Sequence, residues 1–250
     1  MHQTVKYGRL RANHLSSFPV INTVHIAMKI KYFIKSLVFR LFSTKFDAAN
    51  QMPTYLTKYQ IDKIGNSIIH LGDSVSELSK TKLLKLLFLL EEKSIQDYGT
   101  PFFGVDFKIW QFGPVAPPLF EGLTESENKF LSDYIQKNKF DEYEGKKEFV
   151  DDEFSDNDLT VLKWAVDFAR HKTAEDLVEY THSPTSLWRR GAIKHNVYDK
   201  FKKKELTYTN YDIDFTLLFE KDSEGYLLEK YNSAIENLNF SKKYKELVSV

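Results

Sequence analysis

Between Leu83 and Leu90 the chain reads LLKLLFLL, seven apolar residues in eight. A surface helix keeps its apolar residues on one stripe, so a run that is apolar all round fits a helix enclosed by other elements. It reads as a core helix rather than as a binding groove. Ser79 stands where an N-cap belongs, and the helix is expected to stop near Tyr98–Gly99. Hydrophobic residues make up 42% of the 250-residue chain, enough to enclose such a helix, so the chain should fold.

A second stretch, IWQFGPVAPPLFEGL from Ile109 to Leu123, places glycine and proline among large aromatics. A phosphate cradle aims free backbone N–H groups at its anion, and Pro114, Pro117 and Pro118 remove three of them. The stretch reads instead as a stiff corner. Asp106 to Phe112 alternates as a short strand, Gly113 permits a positive-φ turn, and Pro117–Pro118 start a helix where missing N–H groups cost least.

Around these two features the pattern predicts a first helix from about Thr57 to Leu71, ended by Gly72, and a third from Leu119 to Ile135. The buried side of the third would carry Leu119, Phe120, Leu123, Phe130, Leu131, Tyr134 and Ile135. Lys139 to Glu153 reads as a connecting loop with room for one strand. Ser155 or Asp156 caps the next helix, in which Val161, Leu162, Ala165, Phe168 and Ala169 face inward. Thr173 with Asp176 forms a capping-box variant opening AEDLVEY, which stops at THSPTSLW. A strand is expected at YDIDFTLLF, then a final helix with Leu227, Leu228, Tyr231, Ile235 and Leu238 on one face. The fold class is mainly α with a few short strands, a compact helical domain around a buried central helix.

The zero net charge hides an asymmetry. Residues 1–51 carry a net +7, and residues 52–250 a net −7. Three parts are expected: a basic N-terminal arm at 1–51, a helical domain at 52–198, and a C-terminal extension at 199–250 packing on that domain. The arm could be dispensable, or sequence upstream of a true start at Met52. It could also be a transit peptide, a basic amphipathic helix lying on a membrane, or a nucleic-acid contact. It is no transmembrane span, because Lys29, Lys31, Lys35 and Arg40 interrupt its apolar runs. A chain beginning at Met52 is expected to melt like the full one; a loss well beyond the ~1 kcal/mol of a surface change would show that the arm packs into the core. The absence of cysteine fits a reducing compartment, read as the cytoplasm.

Catalysis needs positioned acids, bases or metals. His70, His171, His182 and His195 include no pair at the i, i+4 spacing of a helical metal site, and there is no H-E-x-x-H. His182–Ser183 lies near Asp176, Glu179 and Tyr180, but adjacent loop residues rarely orient a base toward a hydroxyl, and no G-x-S-x-G elbow is present. His182 reads as fastening its loop to a neighbouring helix by hydrogen bonds, and Trp188 as a buried anchor. The Lys200–Lys204 run reads as a solvated turn, since an acidic body would repel phosphates and no aromatics interleave the lysines. No catalytic residue, metal ligand or cofactor-binding residue is assigned, and binding is favoured over turnover.

The order of these motifs resembles the antitoxin SocA-like Panacea domain family over roughly Tyr59 to Arg190. The family shows a Lys-Leu-rich helix running into tyrosine–glycine, an aromatic residue shortly before Gly-Pro-Val, and Thr/Ser-His followed by Trp. Here those positions are Lys82 and Leu86, Tyr98 and Gly99, Trp110 with Gly113, Pro114 and Val115, and Thr181 and His182 with Trp188. They are structural or partner-binding candidates. The resemblance implies an antitoxin that binds and neutralises a cognate toxin protein encoded beside it, either directly or as an adaptor to a cellular protease, with no cofactor. Some relatives are phage-associated, so a phage-associated protein without a toxin partner stays open. So does a nucleic-acid-associated regulator using the basic arm or the Lys200 cluster, with a hydrolase third. Partners in nucleic acid, or in a membrane apart from the arm, are not expected.

Overall fold

The structure, a computed structural model, describes residues 56–124, 130–222 and 225–248; the arm at 1–51 lies outside them. All described residues fall in a unit spanning Thr54–Val250. Among them the fold is mainly α with two small two-stranded sheets.

Helix α1 (Lys58–Ser74) opens on a capping box between Thr57 and Gln60. The central helix α2 (Lys80–Tyr98) starts from the Ser79 cap and ends at Gly99 in the left-handed conformation. Leu83, Leu84, Leu86, Leu87, Phe88, Leu89 and Leu90 are all buried, so the LLKLLFLL run is enclosed as its composition demands. Each such side chain contributes about 1.5–3 kcal/mol of burial. Around α2 pack α4 (Asp156–Ala169), α5 (Ala174–Thr181), strand β2 (Gly113–Val115) and a 3₁₀ turn (Phe215–Phe219). The buried Lys63 of α1 pairs with Asp158 of α4 at 2.9 Å and lies 4.6 Å from the Phe102 ring, tying α1 to α4.

Strands β1 (Lys108–Trp110) and β2 (Gly113–Val115) form an antiparallel hairpin in which Trp110 faces Gly113 and Ile109 faces Pro114. Helix α3 (Pro117–Gly122) follows with proline at its first positions. The expected helix from Leu119 to Ile135 stops at Gly122. The Thr124 hydroxyl donates back to the Phe120 carbonyl at 2.7 Å, the Phe130 ring lies against Gly122, and the chain then turns into β3 (Ile135–Lys137). Leu119, Phe120, Leu123, Leu131, Tyr134 and Ile135 are buried as expected, but the short α3, turns and a strand carry them rather than one helix. β3 pairs with β4 (Tyr143–Gly145), the one strand allowed for in the loop 139–153. This hairpin rests on α1, where the Tyr134 ring covers Gly65 so closely that a Cβ there would meet it at 2.3 Å.

Ser155 caps α4 and Thr173 caps α5, each in a capping box with an aspartate three residues on. Val161, Leu162, Ala165 and Ala169 are buried; Phe168 is half-buried, stacked on Trp164 at 5.1 Å and edge-on to Tyr180 at 5.0 Å. After α6 (Leu187–Lys194) and α7 (Tyr198–Lys202), the expected strand YDIDFTLLF is only a single bridge between Lys108 and Asp212, followed by the 3₁₀ turn. The Thr209 hydroxyl takes the Ile109 carbonyl at 2.7 Å, and Asp214 caps the turn by accepting from the Thr216 amide. Side chains thus satisfy groups that a continuous ladder would have used. Lys202 to Glu205 are exposed, as a solvated turn requires, while Phe201 within the lysine run is buried.

The last helix, α8 (Tyr226–Val248), lays Leu227, Leu228, Tyr231, Ile235 and Leu238 half-buried toward the body. Two glycines permit that approach. Gly99 and Gly104 both have positive φ, and added Cβ atoms would meet the Leu227 carbonyl at 2.6 Å and Leu238 Cδ1 at 2.9 Å. The Glu91 carboxylate underpins the same loop by accepting from the Phe103 amide at 2.7 Å and from the Gly104 amide at 3.3 Å. Burial pushes its carboxyl up to about 7 despite those two donors.

Candidate functional site

Five motif residues, Trp110, Gly113, Pro114, His182 and Trp188, converge on the β1–β2 corner, and Lys85 of the LLKLLFLL run joins them there; the six come from five elements. The reason is local. A two-residue connection at Gln111–Phe112 turns β1 back on itself, and Gly113 completes the turn with φ 108°. That conformation favours glycine, and space demands it too, since a Cβ there would stand 2.4 Å from Lys85 Nζ and 3.0 Å from His182 Cε1. Gly191 does the same for α6, where a Cβ would meet Ile109 Cδ1 at 2.6 Å.

Lys85 is 2% exposed, and its Nζ donates to the Pro114 carbonyl at 3.4 Å, a long bond for an ammonium group. Burial pulls its pKa down from 10.5 to about 7. His182 ends α5, and its Nδ1 lies 2.6 Å from the Val178 carbonyl. A carbonyl can only accept, so Nδ1 carries the proton. Burial first and the Lys85 cation second hold the imidazole down at about 4, against the pull of the Val178 and Gln111 backbone. The ring is therefore neutral at neutral pH.

Trp188 is buried against His182, ring centroids 3.9 Å apart, and stacks with Phe201 of α7 at 6.1 Å. Its Nε1–H donates to the Trp110 carbonyl at 2.7 Å. The Trp110 ring packs edge-on against Phe120 at 5.5 Å. The loop between His182 and Trp188, with Pro184, Thr185 and Ser186, is a turn in which the Ser186 amide donates to the Ser183 carbonyl before Ser186 caps α6.

The other motif residues lie apart from this cluster. Lys82, also buried, donates to the Ser76 carbonyl at 2.8 Å. Leu86 and Val115 are core. The Thr181 hydroxyl is satisfied within α5 by the Leu177 carbonyl at 3.0 Å. Tyr98 and Gly99 sit at the far end of α2, beneath α8.

Three contributors went unnoticed in the sequence. The Gln111 side-chain Nε2 donates to the Phe201 carbonyl at 2.9 Å, Gly191 makes room for β1, and the 207–213 segment runs beside β1, with the Ile109 backbone amide on the Tyr211 carbonyl and the Gln111 backbone amide on the Thr207 carbonyl. A glycine inside an amphipathic helix was a usable signal for the second. The others are pairings across about ninety to a hundred residues, with no local signature.

Chemically, the cluster offers a neutral histidine whose Nδ1–H is spoken for and an amine held near neutrality in an apolar setting. Among the described residues no group of three or more His, Asp or Glu is placed to hold a metal ion. No described helix is long and apolar enough to cross a membrane.

The body is helix-rich, with part of its motif set meeting at one Gly-Pro hairpin. Residues 83–189 match the family model described as Antitoxin SocA-like, Panacea domain, so the resemblance read from the motifs holds over that segment. No curated protein and no solved structure matches the chain.

Proposed function

We propose that the protein is an antitoxin that neutralises a toxin encoded beside it by binding it directly. The match of residues 83–189 to the SocA-like antitoxin domain carries this reading. The burial of the motif cluster supports it: Lys85, Trp110, Gly113, Pro114 and Trp188 hold the fold together, which leaves the surface outside the motifs for a partner. Tyr180, Tyr208 and Tyr211 are among the large side chains exposed there, and such aromatics are favoured where proteins meet.

Co-expression with the neighbouring toxin is expected to rescue growth. Sequestration is stoichiometric, so rescue should fail once toxin exceeds antitoxin, and the purified pair should co-elute on sizing. An adaptor that delivers the toxin to a cellular protease would instead rescue below equal amounts, and only in cells that hold the protease. Rescue without a detectable complex, persisting in cells lacking the protease, would overturn both forms of the reading.

A further inference from the structure

α8 lays its half-buried face on the body through Leu238. Beyond it Asn239, Phe240, Ser241, Lys243 and Tyr244 are exposed, with Phe240 72% and Tyr244 59% exposed. Large aromatics exposed side by side make an apolar patch of the kind that marks interaction sites. Phe240 and Tyr244 stack on one another, centroids 6.5 Å apart and planes 19° from parallel, so they form one apolar surface.

At about 100° per residue, Phe240 and Tyr244 share their outward face with Tyr226, Glu229, Glu236 and Lys243, all exposed. The charge along this face is ordered, with acids toward the N-terminal end and Lys243 beside the aromatic pair. Laid antiparallel on its own copy about a twofold axis at Phe240, the face brings Phe240 onto Phe240. Tyr244 then packs over the copy's Glu236, and Lys243 reaches that same carboxylate. A parallel arrangement would set lysine against lysine and acid against acid.

We propose that this outward face of α8 is a homodimer interface, in which a second copy of the chain packs antiparallel through Phe240 and Tyr244 and pairs its charges as Glu236 with Lys243, twice about the axis. Self-complementarity of this kind is what an isologous contact requires. The inference stands apart from the antitoxin reading, since it needs no toxin.

Sedimentation equilibrium of the full chain from low to high micromolar concentration tests it. The wild-type chain is expected to show a monomer–dimer equilibrium, and the F240A/Y244A double variant to be monomeric throughout while melting like the wild type. Glu236→Lys and Lys243→Glu should each weaken the dimer by about tenfold or more, because each sets like charges together twice. The double reversal in one chain, or an equimolar mixture of the two single variants, should restore it. A wild-type chain that stays monomeric at high micromolar concentration overturns the proposal. So does a dimer that survives F240A/Y244A, or a pair of reversals that fail to rescue one another.

Discussion

Replacement of Trp110 or Trp188 by alanine is expected to lower stability by about 3–5 kcal/mol, the usual cost of truncating a buried aromatic. The two act on one joint. Trp188→Ala removes the indole that fills the space between His182 and Phe201, and it also takes away the donor to the buried Trp110 carbonyl. Trp110→Ala keeps that carbonyl but empties the space beside Phe120. Thermal and denaturant melts measure the loss. Because the Trp188 indole bonds Trp110 itself, the double variant should lose less than the sum of the two single losses. A Trp110→Ala chain that melts like its parent yet no longer binds a partner would show that the aromatic corner is an interface rather than a joint.

Lys85→Met is expected to raise stability at pH 7 and to flatten its dependence on pH above neutrality. In the unfolded chain Lys85 holds its proton up to 10.5, whereas burial in the fold brings that down to about 7. Between those values the unfolded chain binds more protons, so wild-type stability rises with pH by up to about 1.4 kcal/mol per unit, and the cost of burying this amine is heaviest toward the acid side. The Met variant lacks that rise, apart from the smaller contribution in the same direction from Lys82, whose pKa burial also lowers. His182, lowered to about 4 in the wild type, gives a separate rise from pH 4 to about 6.5, smaller in the Met variant because the Lys85 cation no longer adds to the effect of burial. The gain at pH 7 should be on the order of 1–4 kcal/mol, the range seen when apolar side chains of similar volume replace buried charged groups. Melts across pH 5–10 on both chains read it directly, taking wild type and variant at about the same ionic strength throughout. A variant that is less stable at pH 7 would mean that the bond to the Pro114 carbonyl outweighs the burial of the amine. A stable variant that no longer rescues cells would make Lys85 part of the function.

What was legible in the sequence follows the range of the interactions. Ser79, Ser155 and Thr173 were read as caps because a cap bonds a residue three positions away, and all three do so here. Gly113 and the Pro117–Pro118 pair were legible because a positive φ and a missing N–H are properties of the residue itself. The segment Leu119 to Ile135 was misread because burial and helical period coincide over a few residues. The apolar positions named above are buried, but a short helix, turns and a strand carry them rather than one continuous helix. YDIDFTLLF was misread for a related reason: its β propensity is met only at its start, where Tyr211 and Ile213 bond the backbone at Ile109 and Phe107, and from Asp214, which caps Thr216, the chain turns into the 3₁₀ turn.

The motif residues were legible as a set, but their meeting was not. Lys85 lies nearly a hundred positions before His182, and nothing between them states that a glycine turn will carry one against the other at the β1–β2 corner. By itself the sequence determined the mainly α class, the enclosed central helix, the caps and the stiff corner, since each rests on the chemistry of a few neighbouring residues. Only the tertiary structure decided that Lys85 and His182 share one buried space, that the 207–213 segment backs β1, and that Phe240 and Tyr244 of α8 face solvent. Those outcomes depend on which distant surfaces exclude water together, and that is set by packing across the whole chain rather than by any local pattern.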